Sequence, residues 1–124
     1  MPRQKLVYVV DDDPGMLRAL KRLLIEHGYD SVLFSTSGAF QRHEQFDDAV
    51  CVILDIDLND GSGIDVRRRL AAAGISLPVI FITGKDSQAT RAAAHASGCL
   101  AYLTKPFSAR TLIEPVERAS VGIA

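Results

Sequence analysis

Apolar residues are gathered into five short runs, each closed by polar side chains, and between the runs apolar positions recur at helical spacing. The runs are Leu6 to Val10, Ser31 to Phe34, Val50 to Leu54, Val79 to Ile82 behind Pro78, and Cys99 to Leu103. Unbroken apolar runs of this length predict strands covered on both faces, as in a parallel sheet between helix layers. The first helix is expected to open at Pro14 with Asp13 as its N-cap, to turn Leu17, Leu20 and Leu24 toward the sheet, and to stop at Gly28. A second helix, over 37–45, has few apolar positions. The third turns Val66, Leu70 and Ala73 inward and Arg67, Arg68 and Arg69 outward, and ends at Gly74. A fourth, over 86–97, offers an alanine face of Ala89, Ala92, Ala93 and Ala96. At roughly 25 cal/mol per Å² such small side chains gain little from burial, so this helix should be among the least firmly held. Ser108 caps the last helix, with Leu112, Val116 and Ala119 inward, and Pro115 predicts a kink or a late start. Strand and helix alternate five times, which gives an α/β fold: a three-layer αβα sandwich with right-handed crossovers.

The polar ends of the runs carry the candidate chemistry. Val52-Ile53-Leu54-Asp55-Ile56-Asp57-Leu58 closes its run with two carboxylates at alternate positions. The other runs end in Asp11-Asp12, in Thr83 and in Thr104-Lys105. Open α/β sheets place their sites at the carboxyl ends of the strands, so three acids, a hydroxyl and an ammonium converge if these strands are neighbours. The acids repel at close range, and a hard divalent cation such as Mg²⁺ resolves the repulsion.

Composition narrows the field. With 124 residues the chain is one domain, 1–124, and its 48% apolar content is that of a globular protein. A formal net charge of −1 leaves no basic footprint for nucleic acid. The apolar runs are too short for a bilayer, and Met1-Pro2-Arg3-Gln4-Lys5 lacks the pattern of a signal peptide, so a cytoplasmic location is the default. Cys51 and Cys99 each open a different strand, and both are expected to be buried thiols without a disulfide. His27, His43 and His95 fall on separate helices and make neither a metal cluster nor a triad.

Four stretches in order, Val9-Val10-Asp11-Asp12-Asp13-Pro14, Leu54-Asp55-Ile56-Asp57-Leu58-Asn59-Asp60-Gly61-Ser62-Gly63, Phe81-Ile82-Thr83-Gly84 and Tyr102-Leu103-Thr104-Lys105-Pro106-Phe107, resemble the receiver domain of two-component response regulators. The resemblance covers nearly the whole chain. It implies a flavodoxin-like strand order 2-1-3-4-5, with Asp55 accepting a phosphoryl group from a sensor histidine kinase or phosphotransfer protein. It further implies that Asp12 and Asp55 ligate Mg²⁺, that Asp11 holds it through water, and that the main-chain carbonyl of Asp57 adds an oxygen. Lys105 and Thr83 would bind the phosphoryl oxygens, the Lys105-Pro106 bond would be cis, and Tyr102 would be the switch aromatic that responds to Thr83. The surface of the last two helices and last strand would then control an output, with homodimerisation on phosphorylation as one route.

Two departures stand out. Asn59-Asp60 occupy the place of the family's Pro-Gly, and Asp57 adds an acid where the family varies. Asp57 and Lys85, each two residues beyond a site residue on neighbouring strands, are expected to pair across the site. A rival reading takes Asp55-Ile56-Asp57 as the opening motif of a haloacid-dehalogenase-like phosphatase, with Asp55 as nucleophile. Against it, Asp11-Asp12 precede that motif and no room remains for a cap. A second rival is an interaction module with a dead site, although all five expected site residues are present.

Overall fold

The computed structural model describes residues 5–43, 46 and 49–122. Its elements in chain order are β1 (Leu6–Val10), α1 (Pro14–Glu26), β2 (Asp30–Phe34), α2 (Ser37–Gln41), β3 (Ala49–Asp55), α3 (Gly63–Ala72), β4 (Val79–Thr83), α4 (Gln88–Ser97), β5 (Ala101–Thr104) and α5 (Ala109–Ser120). A hairpin pairing Asp57–Leu58 with Gly61–Ser62 lies between β3 and α3. The five strands form one sheet in the order β2-β1-β3-β4-β5, every pairing parallel. This is the expected flavodoxin-like topology.

Successive strand residues point to opposite faces, and the sheet accordingly supports two cores. Tyr8, Val10, Val52, Leu54, Val79 and Phe81 pack with Phe40, Ile64, Val66, Leu70 and Ala94 from α2, α3 and α4. On the other face Val7, Val9, Ile53, Ile80 and Ile82 meet Leu17, Leu20 and Leu24 of α1 and Leu112, Ile113 and Val116 of α5. The layers are therefore α2, α3 and α4, then the sheet, then α1 and α5.

Local chemistry starts and stops α1, and starts α5, as the sequence predicts, while α4 begins at Gln88 rather than 86. The Asp13 carboxylate accepts from Gly15 N at 2.9 Å, and Ser62, Ser87 and Ser108 cap α3, α4 and α5 in the same way. At the far end of α1, Gly28 takes φ +85° while Tyr29 N returns to Leu24 O, an ending that glycine adopts without a Cβ clash.

Several expectations need correction. Helix α2 ends at Gln41 rather than 45, and Gln45 itself lies outside the described residues. Strand β5 starts at Ala101, so Cys99 precedes it and is only half-buried; Cys51 is fully buried, and both are free. Ala73 is exposed beyond the end of α3. The inner face of α4 consists of Thr90, Ala93, Ala94 and Ser97, while Ala89, Ala92 and Ala96 are exposed. Helix α5 does not start late but runs from Ala109 through Pro115. The carbonyl that Pro115 leaves without its N–H belongs to Thr111, an exposed residue that water reaches.

Candidate functional site

In-register parallel pairing carries the strand-end residues to one edge. Val10 stands beside Leu54, Asp55 beside Ile82, and Thr83 beside Thr104. The residues just beyond continue the pattern: Asp11 N donates to Phe34 O at 3.1 Å, Ile56 N to Ile82 O at 3.0 Å and Lys105 N to Thr83 O at 2.8 Å. The Lys105-Pro106 peptide is cis, as the resemblance implies.

Asp11, Asp55 and Thr83 are all buried, at 0%, 3% and 0% exposure, whereas Asp12 is half-buried. Carboxylate oxygens of Asp11, Asp12 and Asp55 lie within 4.8 Å of one another. The Lys105 Nζ donates to Asp11 Oδ2 at 2.9 Å and reaches Asp55 Oδ2 at 3.3 Å. Backbone donors orient the acids: Asp13 N to Asp11 Oδ1 at 2.9 Å, Asp57 N to Asp55 Oδ1 at 3.1 Å and Asn59 N to Asp12 Oδ2 at 2.8 Å.

Burial, helped by the neighbouring Asp11 charge, pushes the Asp55 carboxyl up to about 6 against the pull of Asp57 N–H and Lys105. Burial acts downward on the Lys105 ammonium. Its hydrogen bond to Asp11 and the charges of Asp55 and Asp11 outweigh that, so its pKa is raised. Three carboxylates facing one ammonium leave a surplus of negative charge among hard oxygen donors. That donor set fits Mg²⁺, which takes few carboxylates and keeps several waters.

The carboxylate of Asp57 stands outside this group. It accepts a hydrogen bond from Thr83 Oγ1 at 2.7 Å, and Thr83 Oγ1 in turn accepts from Lys85 N at 3.0 Å. The expected ion pair between Asp57 and Lys85 does not form. Lys85 touches Thr83 through its main chain, and the only short partner of the Asp57 carboxylate among the described residues is a hydroxyl. Tyr102 makes its hydrogen bond outside the group of Asp11, Asp12 and Asp55. Its hydroxyl donates to Asp86 Oδ1 at 2.9 Å, and Arg91, itself 2.7 Å from Asp86 Oδ2, lies over its ring.

Sequence reasoning passed over the contributions of four residues. Asp60, noted only as a departure, receives Ser37 N and Gly38 N at 3.0 Å each, tying the loop after Asp55 to the start of α2. Gly63 packs so closely that a Cβ would overlap the Asp55 carbonyl oxygen, and its N–H donates to Ile56 O at 2.9 Å. A glycine at the first position of a helix, where it stabilises nothing locally, was the available signal. Asp86 and Arg91, which hold Tyr102, carry no such mark.

Comparison with known proteins agrees with this geometry. A family model described as "Response regulator receiver domain" matches residues 7–117. The chain is 33% identical to the response regulator protein TmoT of Ectopseudomonas mendocina over 117 residues, 94% of this chain and 53% of that protein. It is 32% identical to the response regulator protein TodT of Pseudomonas putida over 122 residues, 98% of this chain and 53% of that protein. It thus spans about half the length of these curated relatives. Among solved structures, the response regulator receiver protein of Pseudoalteromonas atlantica superposes with a TM-score of 0.90 at 26% identity, covering 96% of this chain and 99% of that one. Nothing in these comparisons supports a haloacid-dehalogenase-like phosphatase. The chain belongs to the response regulator receiver domain family, the phosphorelay switches of two-component signalling.

Proposed function

We propose that residues 1–124 form one receiver unit in which Asp55 is the phosphoacceptor, and that the chain itself promotes both the arrival and the loss of the phosphoryl group. The observation that carries this reading is the Lys105 ammonium held between Asp11 and Asp55 at the end of β3. An Asp55 oxygen attacks phosphorus, the bond to the donor breaks, and the bonding electrons leave with the donor, an imidazole when it is a phosphohistidine. Lys105 already touches the attacking carboxylate, so its charge is in place for the oxygens of the new acyl phosphate. Thr83 offers those oxygens its hydroxyl proton once it turns from Asp57. Asp12 and Asp55 would hold Mg²⁺ directly, Asp11 would hold it through water and the Asp57 main-chain carbonyl would add an oxygen; the ion would offset charge on the phosphoryl oxygens.

The partner that supplies the group is a sensor histidine kinase or a phosphotransfer protein. Movement of Thr83 and Tyr102 then alters the surface made by α4, β5 and α5, which controls an output domain or partner or joins a second copy of the chain. Among the described residues no helix is long and apolar enough to cross a membrane, and action in the cytoplasm, without nucleic acid bound by this domain, fits a net charge of −1. The test is incubation with a small acyl phosphate and Mg²⁺, read by intact mass. One phosphate should be added to the natural chain and none to Asp55→Asn; equal labelling of the two would overturn the assignment. Removing Mg²⁺ with a chelator should abolish the labelling.

A further inference from the structure

The hydroxyl of Thr83 has a single proton, and the structure shows where it goes: to Asp57 Oδ2 at 2.7 Å. Thr83 Oγ1 itself accepts from Lys85 N at 3.0 Å, so the first residues after β4 are tied to this arrangement. Asp57 is not a loose surface acid. It is paired with Ser62 across the short hairpin, and its own N–H donates to Asp55 Oδ1 at 3.1 Å. Its carboxylate therefore stands on a short, fixed tether beside Asp55 and takes part in no ion pair among the described residues. An oxyanion near Asp55 already holds the proton that an arriving phosphoryl oxygen requires.

We propose that Asp57 is a resident competitor for Thr83. In the unphosphorylated chain its carboxylate takes the Thr83 hydroxyl in place of the phosphoryl group, and the modified Asp55 must win that hydroxyl away. This goes beyond the assignment of Asp55 and Thr83 proposed above and rests on it. Because one charge-assisted hydrogen bond is exchanged for another, capture of Thr83 contributes less to the switched state than it would if the hydroxyl were free. The carboxylate also repels the incoming anion, and this second effect does not need Thr83.

A double-mutant cycle separates the two effects. Beryllofluoride affinity in the presence of Mg²⁺ is measured for the natural chain, Asp57→Ala, Thr83→Ala and the double variant, with Asp57→Asn added. Asp57→Ala should bind about fivefold more tightly, the size of one hydrogen bond to an exposed carboxylate. Most of that gain should vanish when Thr83 is alanine. Asp57→Asn keeps an acceptor oxygen and loses the charge, so its gain should be smaller. An equal gain in both Thr83 backgrounds would show repulsion alone and overturn the proposal, as would no gain. Side-chain scalar couplings in the phosphate-free protein give a second measure. Thr83 should hold one χ1 rotamer in the natural chain and average between rotamers in Asp57→Ala; an unchanged rotamer would overturn the proposal. If no protein carrying Asp55 takes up beryllofluoride or phosphate, the phosphoacceptor assignment fails, and the couplings still decide whether Asp57 holds Thr83.

Discussion

Asp55 acts as a nucleophile in the proposed reaction, a role that needs its ionised form, yet the fold favours its neutral form. Burial and the charge of Asp11 lift its pKa from the ordinary 3.8 to about 6. With the folded value above the unfolded one, the stability this group contributes is complete below pH 3.8 and is lost as the pH rises through about 6. A shift of about two units corresponds to at most about 3 kcal/mol, and screening through the solvent-facing mouth lowers it. In Mg²⁺-free buffer Asp55→Asn, neutral at every pH, should therefore resist urea better than the natural chain at about pH 7.5, by roughly 1–2 kcal/mol. Near pH 3.5 the advantage should disappear. A variant no more stable than the natural chain at about pH 7.5 would mean that Lys105 already compensates the buried charge. The residues proposed for the site were legible in the sequence because each stands at or just past the end of an apolar run, and a run's end is visible without tertiary information. The partner of Asp57 was not. Two-residue spacing places Asp57 and Lys85 near each other, but which group meets the carboxylate depends on how the hairpin aims it, and the hairpin aims it at Thr83.

Helix α2 is the element least able to stand by itself. It has five residues, too few for its own hydrogen bonds to outweigh the cost of nucleation. Its first donors are satisfied from outside: Ser37 N and Gly38 N by Asp60, and Ala39 N by Thr36 Oγ1. Those N–H groups hold the Asp60 carboxyl below the usual carboxylate range. Where the family places Pro-Gly to stiffen this loop, the chain uses a clasp between loop and helix. Asp60→Ala should speed amide hydrogen exchange at residues 37–39 severalfold and leave α3 unchanged, and Asp60→Asn, with one acceptor oxygen, should fall between. Exchange rates identical to the natural chain would show that Phe40, buried in the core, holds the helix alone. Elements whose apolar stripe is made of large side chains, such as Leu17, Leu20 and Leu24, could be oriented from the sequence. Helix α4 could not, because alanines on several sides give it no dominant stripe, and packing chose Ala93 and Ala94.

Across the whole molecule the parallel sheet imposes a direction. All the residues proposed for phosphoryl chemistry lie at or beyond the carboxyl ends of β1, β3, β4 and β5. The turn after α3, with exposed Gly74 and Ser76, leads into the opposite end of β4. A strand of five residues separates the two ends by roughly 16 Å. A short Gly-Ser insert after Ser76 should therefore leave the rate of labelling by an acyl phosphate within about twofold of the natural value. A larger drop would show that the two ends communicate through β4. If the rate holds, the molecule can be gripped from behind while its front is left free to react. Tethered by that turn to a bead, an electrode or a fluorescent reporter, it would present its acidic end outward to a kinase, with every immobilised copy facing the same way.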